Sequence, residues 1–161
     1  MTFVMQAITL AFPNIPIIPV IGNNDVMYHN QAPTAADAPT YYSQMWDIYV
    51  TGIAANIALF ESDPNISTTF HQGGWYYIPL ADNVIILCLN GMYPFYSNSA
   101  DPTTAQTMID WVEQMFINNP NSKFIMQTHV WPGTNYFNYL EVFWVQPYLD
   151  NFLTLMVTYK S

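Results

Sequence analysis

What most constrains this chain is a repeated punctuation: short apolar runs, each too brief for a packed helix, that stop abruptly in small polar residues or glycine. The run from Ile15 to Ile21 is rich in β-branched residues, carries Pro16 and Pro19, and ends in Gly22-Asn23-Asn24-Asp25. It reads as a buried strand, with Gly22 turning the backbone so that three polar side chains sit at its carboxyl end. Val84 to Leu89 is continuously apolar, as a strand buried on both faces should be, and ends in Asn90-Gly91. Lys123 to Thr128 is a third such run and delivers His129. In open α/β sheets the carboxyl ends of strands are where ligands sit.

Between these runs lie segments with helical spacing. Thr2 to Ala11 is a short helix stopped by Pro13, and the apolar stretch Met1 to Phe12 reads as a buried helix because it lacks the basic start and cleavage site of a signal peptide. Thr40 caps a helix from Tyr41 to Phe60, with Met45, Ile48, Tyr49, Ile53, Ile57 and Phe60 along one face and Gly52 as a weak point. Asp101-Pro102 starts a helix that runs to Ile117 and buries Met108, Trp111, Val112, Met115 and Phe116. A further helix is expected from Tyr136 to Val145, and a last strand from Leu153 to Val157. Val26 to Pro39 and Glu61 to Gln72 read as loops, the first long enough to rim the strand end and the second marked by Asp63-Pro64-Asn65. Gly73 to Leu80 pairs with Val84 to Leu89 across an Asp82-Asn83 turn. The alternation predicts an α/β fold in one domain over residues 1–161.

Two lysines, no arginine and eleven acidic residues give a formal net charge of -9. A chain without a basic patch does not neutralise phosphates, so nucleic acid is excluded as a partner and anionic membrane is disfavoured. No apolar run is long enough to span a bilayer. Cys88 stands alone within an apolar run and reads as a core residue, while Asn65-Ile66-Ser67 fits the glycosylation pattern. Trp75, Tyr76 and Tyr77 could line a cleft, but alternation in a sheet accounts for them equally well, and His71 reads as a loop hydrogen-bonder.

Asn23 and Asp25 offer hard oxygen donors, which suit a divalent-metal or phosphate site; the alternative is a polar turn whose side chains cap their own backbone. The string FPNIPIIPVIGNNDVMYHNQAP resembles the metal-binding Gly-Asn-His-Asp/Glu region of the calcineurin-like metallophosphoesterases, above all the acid-sphingomyelinase-like branch, with Asn24 where that family has histidine. Gly73-Gly74-Trp75-Tyr76-Tyr77 with Ile85 to Asn90 is similar to the family's hairpin, and Asp110-Trp111-Val112 to a tryptophan-bearing helix. Gln127 to Gly133 is similar to its Gly-His-x-Pro-Pro-Gly loop, with Thr128 in place of the first glycine. The likeness runs from Phe12 to Val157.

The resemblance implies a partial metallophosphoesterase-like sandwich: central β-sheets flanked by helices around a two-metal centre. Asn23 would be an amide ligand, His129 an imidazole ligand, and Asn24 would occupy the general-acid position, where an amide does not do the work of an imidazolium. The family's Asp-x-His motif, a further aspartate and its terminal Gly-His-x-His motif are not in this sequence. Two divalent metals such as zinc are therefore expected only if those motifs come from elsewhere, and no catalytic residue is assigned; His29 lies close enough along the chain to be weighed as a substitute acid. The expected function is a degenerate or partial relative of enzymes that hydrolyse phosphoesters or phosphodiesters with metal assistance, inactive as an isolated chain. The alternative is a non-catalytic structural or self-assembling protein on the same scaffold. Exposed sheet edges then call for a protein partner or a homo-oligomer, and the resemblance points to an extracellular or secretory/lysosomal setting.

Overall fold

The computed structural model describes residues 2–95, 98, 101, 103–134 and 141–159. Three strands, β1 (Tyr76–Pro79), β2 (Val84–Leu89) and β3 (Lys123–Thr128), form one sheet in the order β1-β2-β3. β1 and β2 are antiparallel, with Tyr76 opposite Cys88. Asp82 and Asn83 make the turn with φ of 59° and 60°, a left-handed pair that short polar residues tolerate and a tight hairpin requires. β2 and β3 are parallel, in register from Val84–Lys123 to Leu89–Thr128. Parallel neighbours need a long crossover, which contains the helix α5 (Thr104–Asn118). The architecture is mixed α/β, a central mixed sheet flanked by helices, as in a metallophosphoesterase-like sandwich.

The expected strand at Ile15 to Ile21 joins no ladder among the described residues. Pro16 and Pro19 have no N–H to donate, so a regular ladder would be interrupted twice. Side chains take the place of a neighbouring strand. The Asn56 amide accepts from Ile17 N at 2.7 Å and donates to Ile17 O at 2.8 Å, and it also donates to Tyr49 O at 2.6 Å. Gln127 Nε2 donates to Ile18 O at 2.9 Å, and the Tyr76 hydroxyl donates to Pro19 O. The segment thereby lies fixed against the core, with Ile21 1% exposed.

Asn56 reaches Ile17 because the single helix expected from Tyr41 to Phe60 is broken. α2 (Ala38–Trp46) continues into a π-helical turn at Asp47–Thr51, closed by the Gly52 N–H donating to Asp47 O, five residues back, at 2.7 Å. A Cβ on Gly52 would lie 3.0 Å from Asp47 O, so the tight exit favours glycine. Ile53 then adopts extended angles, and α3 (Ala54–Phe60) starts in a new direction with Asn56 buried in its first turn.

Glu61 to Gln72 is not a loop. Asp63 caps α4 (Pro64–Gly73) by accepting from Asn65 N at 2.9 Å, with Pro64 in the first turn. Ile66, Phe70 and Gly73 are buried, and Gly74 ends the helix at φ +74°. The glycine is required there: a Cβ would come within 2.5 Å of Ile21 Cδ1 and 2.8 Å of Tyr42 Cε1. β1 is accordingly shorter than the strand expected from Gly73. Asp101 performs the same capping service for α5, accepting from the backbone N–H groups of Thr103 and Thr104 at 3.1 Å. Pro102 lies outside the described residues.

Three further expectations are corrected. Of the helix expected at Tyr136 to Val145, residues 135–140 lie outside the described set, and 141–145 are not helical: Val142 bridges Thr134 and Trp144 bridges Phe95. The expected strand Leu153 to Val157 lies within α6 (Tyr148–Thr158), whose Leu149, Phe152 and Leu155 are buried on one face toward α5. α1 (Thr2–Ala11) forms, but it is not a buried helix: Met5 meets the core while Phe3 and Leu10 are 80% and 84% exposed. The helix buries only the side that meets a neighbour. No described helix is long and apolar enough to cross a membrane.

The core is aromatic, with Trp75, Trp144, Tyr42, Tyr76, Phe60 and Phe70 fully enclosed. Cys88 sits among them, its thiol pushed up to about 12 by burial. Tyr76 and Tyr77 are anchored, the latter donating to Asp63 Oδ2, so sheet packing accounts for them.

Asn56→Ala leaves the half-buried Ile17 N–H and two backbone carbonyls without their partner and should cost about 1–3 kcal/mol in a urea titration, the scale of an unsatisfied group plus lost bonds. Asp63→Ala should cost about 1 kcal/mol at neutral pH through loss of the cap. The Tyr77 hydroxyl, with the Asn65 N–H, holds the Asp63 carboxyl below the usual carboxylate range. Its contribution is therefore complete above the unfolded carboxylate value and fades as pH falls through the lower folded value, so the two proteins should converge in stability at acid pH.

Candidate functional site

Gly22 ends the proline-rich segment in a closed turn. Asp25 N donates to Gly22 O at 3.0 Å, and Gly22 N donates to Asp25 Oδ2 at 2.9 Å. Asp25 therefore spends one carboxylate oxygen on its own backbone, as the turn-capping alternative foresaw. Asn23, half-buried, faces the other way. Its Oδ1 accepts from His129 Nε2 at 2.9 Å, across 106 residues of sequence, so the two residues singled out as metal ligands are in contact.

Three features bring His129 there. β3 ends at Thr128, whose hydroxyl donates to Val130 O at 3.0 Å and tightens the turn that carries the imidazole. The buried Trp144 indole donates to the same carbonyl at 2.8 Å. Gly91, just after β2, lets the two strand ends close together: a Cβ would fall 2.3 Å from Val130 O and 2.6 Å from Thr128 Oγ1. Gly22 has a similar role, since a Cβ there would lie 3.1 Å from both Asp25 Oδ2 and His129 Cγ.

The loop after Asp25 folds back on Asn23. Asn30, at φ 64°, donates its N–H to Asn23 O at 3.3 Å, and its Oδ1 accepts from Asn23 Nδ2 at 3.0 Å. Tyr28 and Gln31 form a bridge, closing a tight turn around His29. His29 Nε2 lies 3.4 Å from Asn23 Nδ2. Asn24 is exposed, with its amide nitrogen 3.5 Å from Asn23 Oδ1. His71 is elsewhere, on α4, with Nδ1 2.8 Å from Ser67 O and its ring against Trp46. The part played by Asn30 was not foreseen. The signal available was an asparagine seven residues on, a residue type that tolerates positive φ and bonds backbone locally.

A cavity of about 180 Å³ adjoins the pair, walled by Asn23, His129, Phe95, Val130, Trp131 and Phe143. A larger cavity, about 720 Å³, opens near Lys123, Phe124 and the ends of α5 and α6, and holds no histidine or carboxylate. Asn23 and His129 lie at the smaller one.

A two-ion centre does not fit these residues. Each ion needs several fixed donors, and among the described residues no three His, Cys, Asp or Glu side chains are grouped to hold one.

No protein-family profile matches the chain. It is similar to the sphingomyelinase phosphodiesterase D of Dictyostelium discoideum, 27% identical over 157 residues, 94% of this chain and 33% of that protein. It is also similar to the endopolyphosphatase of Neurospora crassa, 26% identical over 129 residues, 74% of this chain and 16% of that protein. The chain thus spans about a third or less of the length of these relatives. These likenesses make it a distant homologue of calcineurin-like metallophosphoesterase superfamily members in which no metal-binding cluster is formed among the described residues.

Gly91→Ala should separate the ends of β2 and β3. The expected result is a loss of about 1–3 kcal/mol, the scale of overpacking, together with displaced His129 ring signals in NMR while those of His71 stay in place.

Proposed function

We propose that this chain is a degenerate or partial unit of a phosphoesterase, with ancestral chemistry of metal-assisted hydrolysis at a tetrahedral phosphorus. The observation that carries this reading is the 2.9 Å contact between Asn23 Oδ1 and His129 Nε2, an amide oxygen and an imidazole presented together by separate loops in a chain distantly homologous to such enzymes. Asn23 and His129 are proposed as the surviving metal ligands. The substrate class proposed from the relatives is a phosphodiester of the sphingomyelin kind, with polyphosphate as the second candidate. An extracellular or secretory compartment is proposed from the same resemblance.

The chemistry stops short in two places. Two donors do not hold the ions that would activate water, and Asn24 offers a leaving alkoxide no acidic proton, a role worth ~10²–10⁴ in rate where it operates. The chain assayed alone with zinc, on bis(p-nitrophenyl) phosphate and on sphingomyelin vesicles, should release product no faster than buffer. Turnover that disappears in His129→Ala would overturn the degenerate reading in favour of a working enzyme.

A second reading, a non-catalytic interaction protein, is favoured by the sheet edges. β1 and β3 each have one ladder neighbour among the described residues, and Ile125 and Met126 on β3 are 53% and 38% exposed. Under this reading the chain self-associates or binds a partner through those edges.

A further inference from the structure

We propose that the free edge of β3 is the seam of a symmetric dimer: two copies of this chain join their β3 strands antiparallel, Ile125 opposite Ile125, into one continuous sheet. This rests on the second reading above, self-association through a sheet edge, and names the edge, the partner and the register.

The two edges are guarded differently. β1 is four residues long, ends in Pro79, and has Tyr76 and Ile78 buried. β3 has six residues and no proline, and Ile125 and Met126 stand exposed on it. Natural edges are blunted by brevity, proline, bulges or charge; β3 carries a single lysine, at its start. Its main chain is open as well. Lys123 N donates to Asn83 O at 2.7 Å, and the alternation of a parallel pair then turns Ile125 and Gln127 toward β2 and Phe124 and Met126 outward. Among the described residues nothing pairs with the outward N–H and C=O groups of Phe124 and Met126. Their side chains line the cavity of about 720 Å³ with Phe116, Met156 and Tyr159, so an added strand would extend the sheet over an apolar groove.

Two-fold symmetry restricts the register. Directly paired residues of an antiparallel ladder share a face, and an axis through Ile125 sets Phe124 of each copy opposite Met126 of the other. Both residues face outward, so each such pair exchanges both main-chain bonds, and their side chains lie together over the two grooves. Ile125 meets Ile125 on the opposite face, and Lys123 falls opposite Gln127 rather than another lysine.

Local charge selects a second copy over a charged foreign segment. No acidic residue occurs between Glu113 and Glu141, and the one lysine of that interval is Lys123. A basic segment meets a cation at this edge, and an acidic one meets a molecule of net charge -9. A second β3 brings no carboxylate, and the register holds the two lysines at opposite ends of the ladder. The carboxylates elsewhere repel at longer range, which salt screens.

The full chain is run in sedimentation velocity over a concentration series at about 0.05 M and about 0.5 M NaCl, with circular dichroism confirming that each variant folds. The expected result is a reversible monomer–dimer equilibrium, tighter at the higher salt. Ile125→Lys sets like charges directly opposite, and Met126→Pro removes an outward N–H while leaving the β2 ladder intact; each should weaken dimerisation about tenfold or more. Leu10→Lys, on the exposed side of α1, should stay within twofold of the wild type. Under mild oxidation Ile125→Cys should form an intermolecular disulfide, because a non-hydrogen-bonded pair sets its Cα atoms ~4.5 Å apart. Met126→Cys, opposite Phe124, should not, and the buried Cys88 does not compete. Cross-linking through Met126→Cys instead of Ile125→Cys overturns the register. A dimer unchanged in Ile125→Lys and Met126→Pro overturns the β3 seam alone and leaves self-association through another surface. A chain that stays monomeric up to about 1 mM overturns the seam together with the self-association on which it rests.

Discussion

The structure depends on one amide. Asn56 grips Ile17 from both sides, taking its N–H and supplying its C=O, as a neighbouring strand would. The segment it holds carries two prolines that disqualify it from a regular ladder, and that segment ends in Gly22 and Asn23. If the grip is lost, nothing in a strand register replaces it, and the segment that leads to Asn23 is left to the bonds of Gln127 and Tyr76 to Ile18 O and Pro19 O. The π-helical turn and the break at Gly52 and Ile53 gain meaning from this: they redirect α3 so that a polar side chain can be buried and fully used. A buried amide with three partners costs little to desolvate, whereas one missing partner leaves most of the penalty in place.

How much of this was legible follows from where the information resides. β2, β3 and the helix between them could be read because each carries its own signal: a continuous apolar run, or an aspartate cap followed by helical spacing. The same cap signal was present at Asp63-Pro64, but the Ser/Thr content of the next residues argued for a turn, and the burial of Ile66 and Phe70 decided otherwise. α6 was misread as a strand because a five-residue apolar window does not distinguish periods; Leu149 and Phe152 reveal the three-residue spacing when the window is widened. The run from Ile15 to Ile21 was misread in another way. Its composition is that of a strand and its burial is partly that of a strand, but its bonding partners are side chains 39 to 109 residues away, which no local pattern encodes.

The candidate site was legible as a pair and illegible as a cluster. Asn23 and His129 each end an extended run, and the side-chain bonds from Gln127 to Ile18 O and from Tyr76 to Pro19 O bring those two run ends together. Asn30 and His29 joined them through a left-handed residue and a two-residue bridge, and such closure depends on the loop's return path rather than on its composition. Asp25 illustrates the opposite outcome. A carboxylate that looked available for a ligand is drawn into the turn that Gly22 begins, where it bonds the backbone N–H.

That competition shows that the loops here are held by hydrogen bonds that require no ion. In the chain as it stands, Asn23 Oδ1 accepts from His129 and Nδ2 donates to Asn30, so the amide already links the proline-rich segment, the β3 loop and the return loop. An ion entering here must displace the His129–Asn23 bond, worth about 1 kcal/mol net, and recover more than that from its own ligands. With a full set of donors the recovery is large; with two or three it is modest, and the hydrogen-bonded form is a stable resting arrangement. The contacts of Asn23 with His129 and Asn30 hold the loops together whether or not an ion is bound.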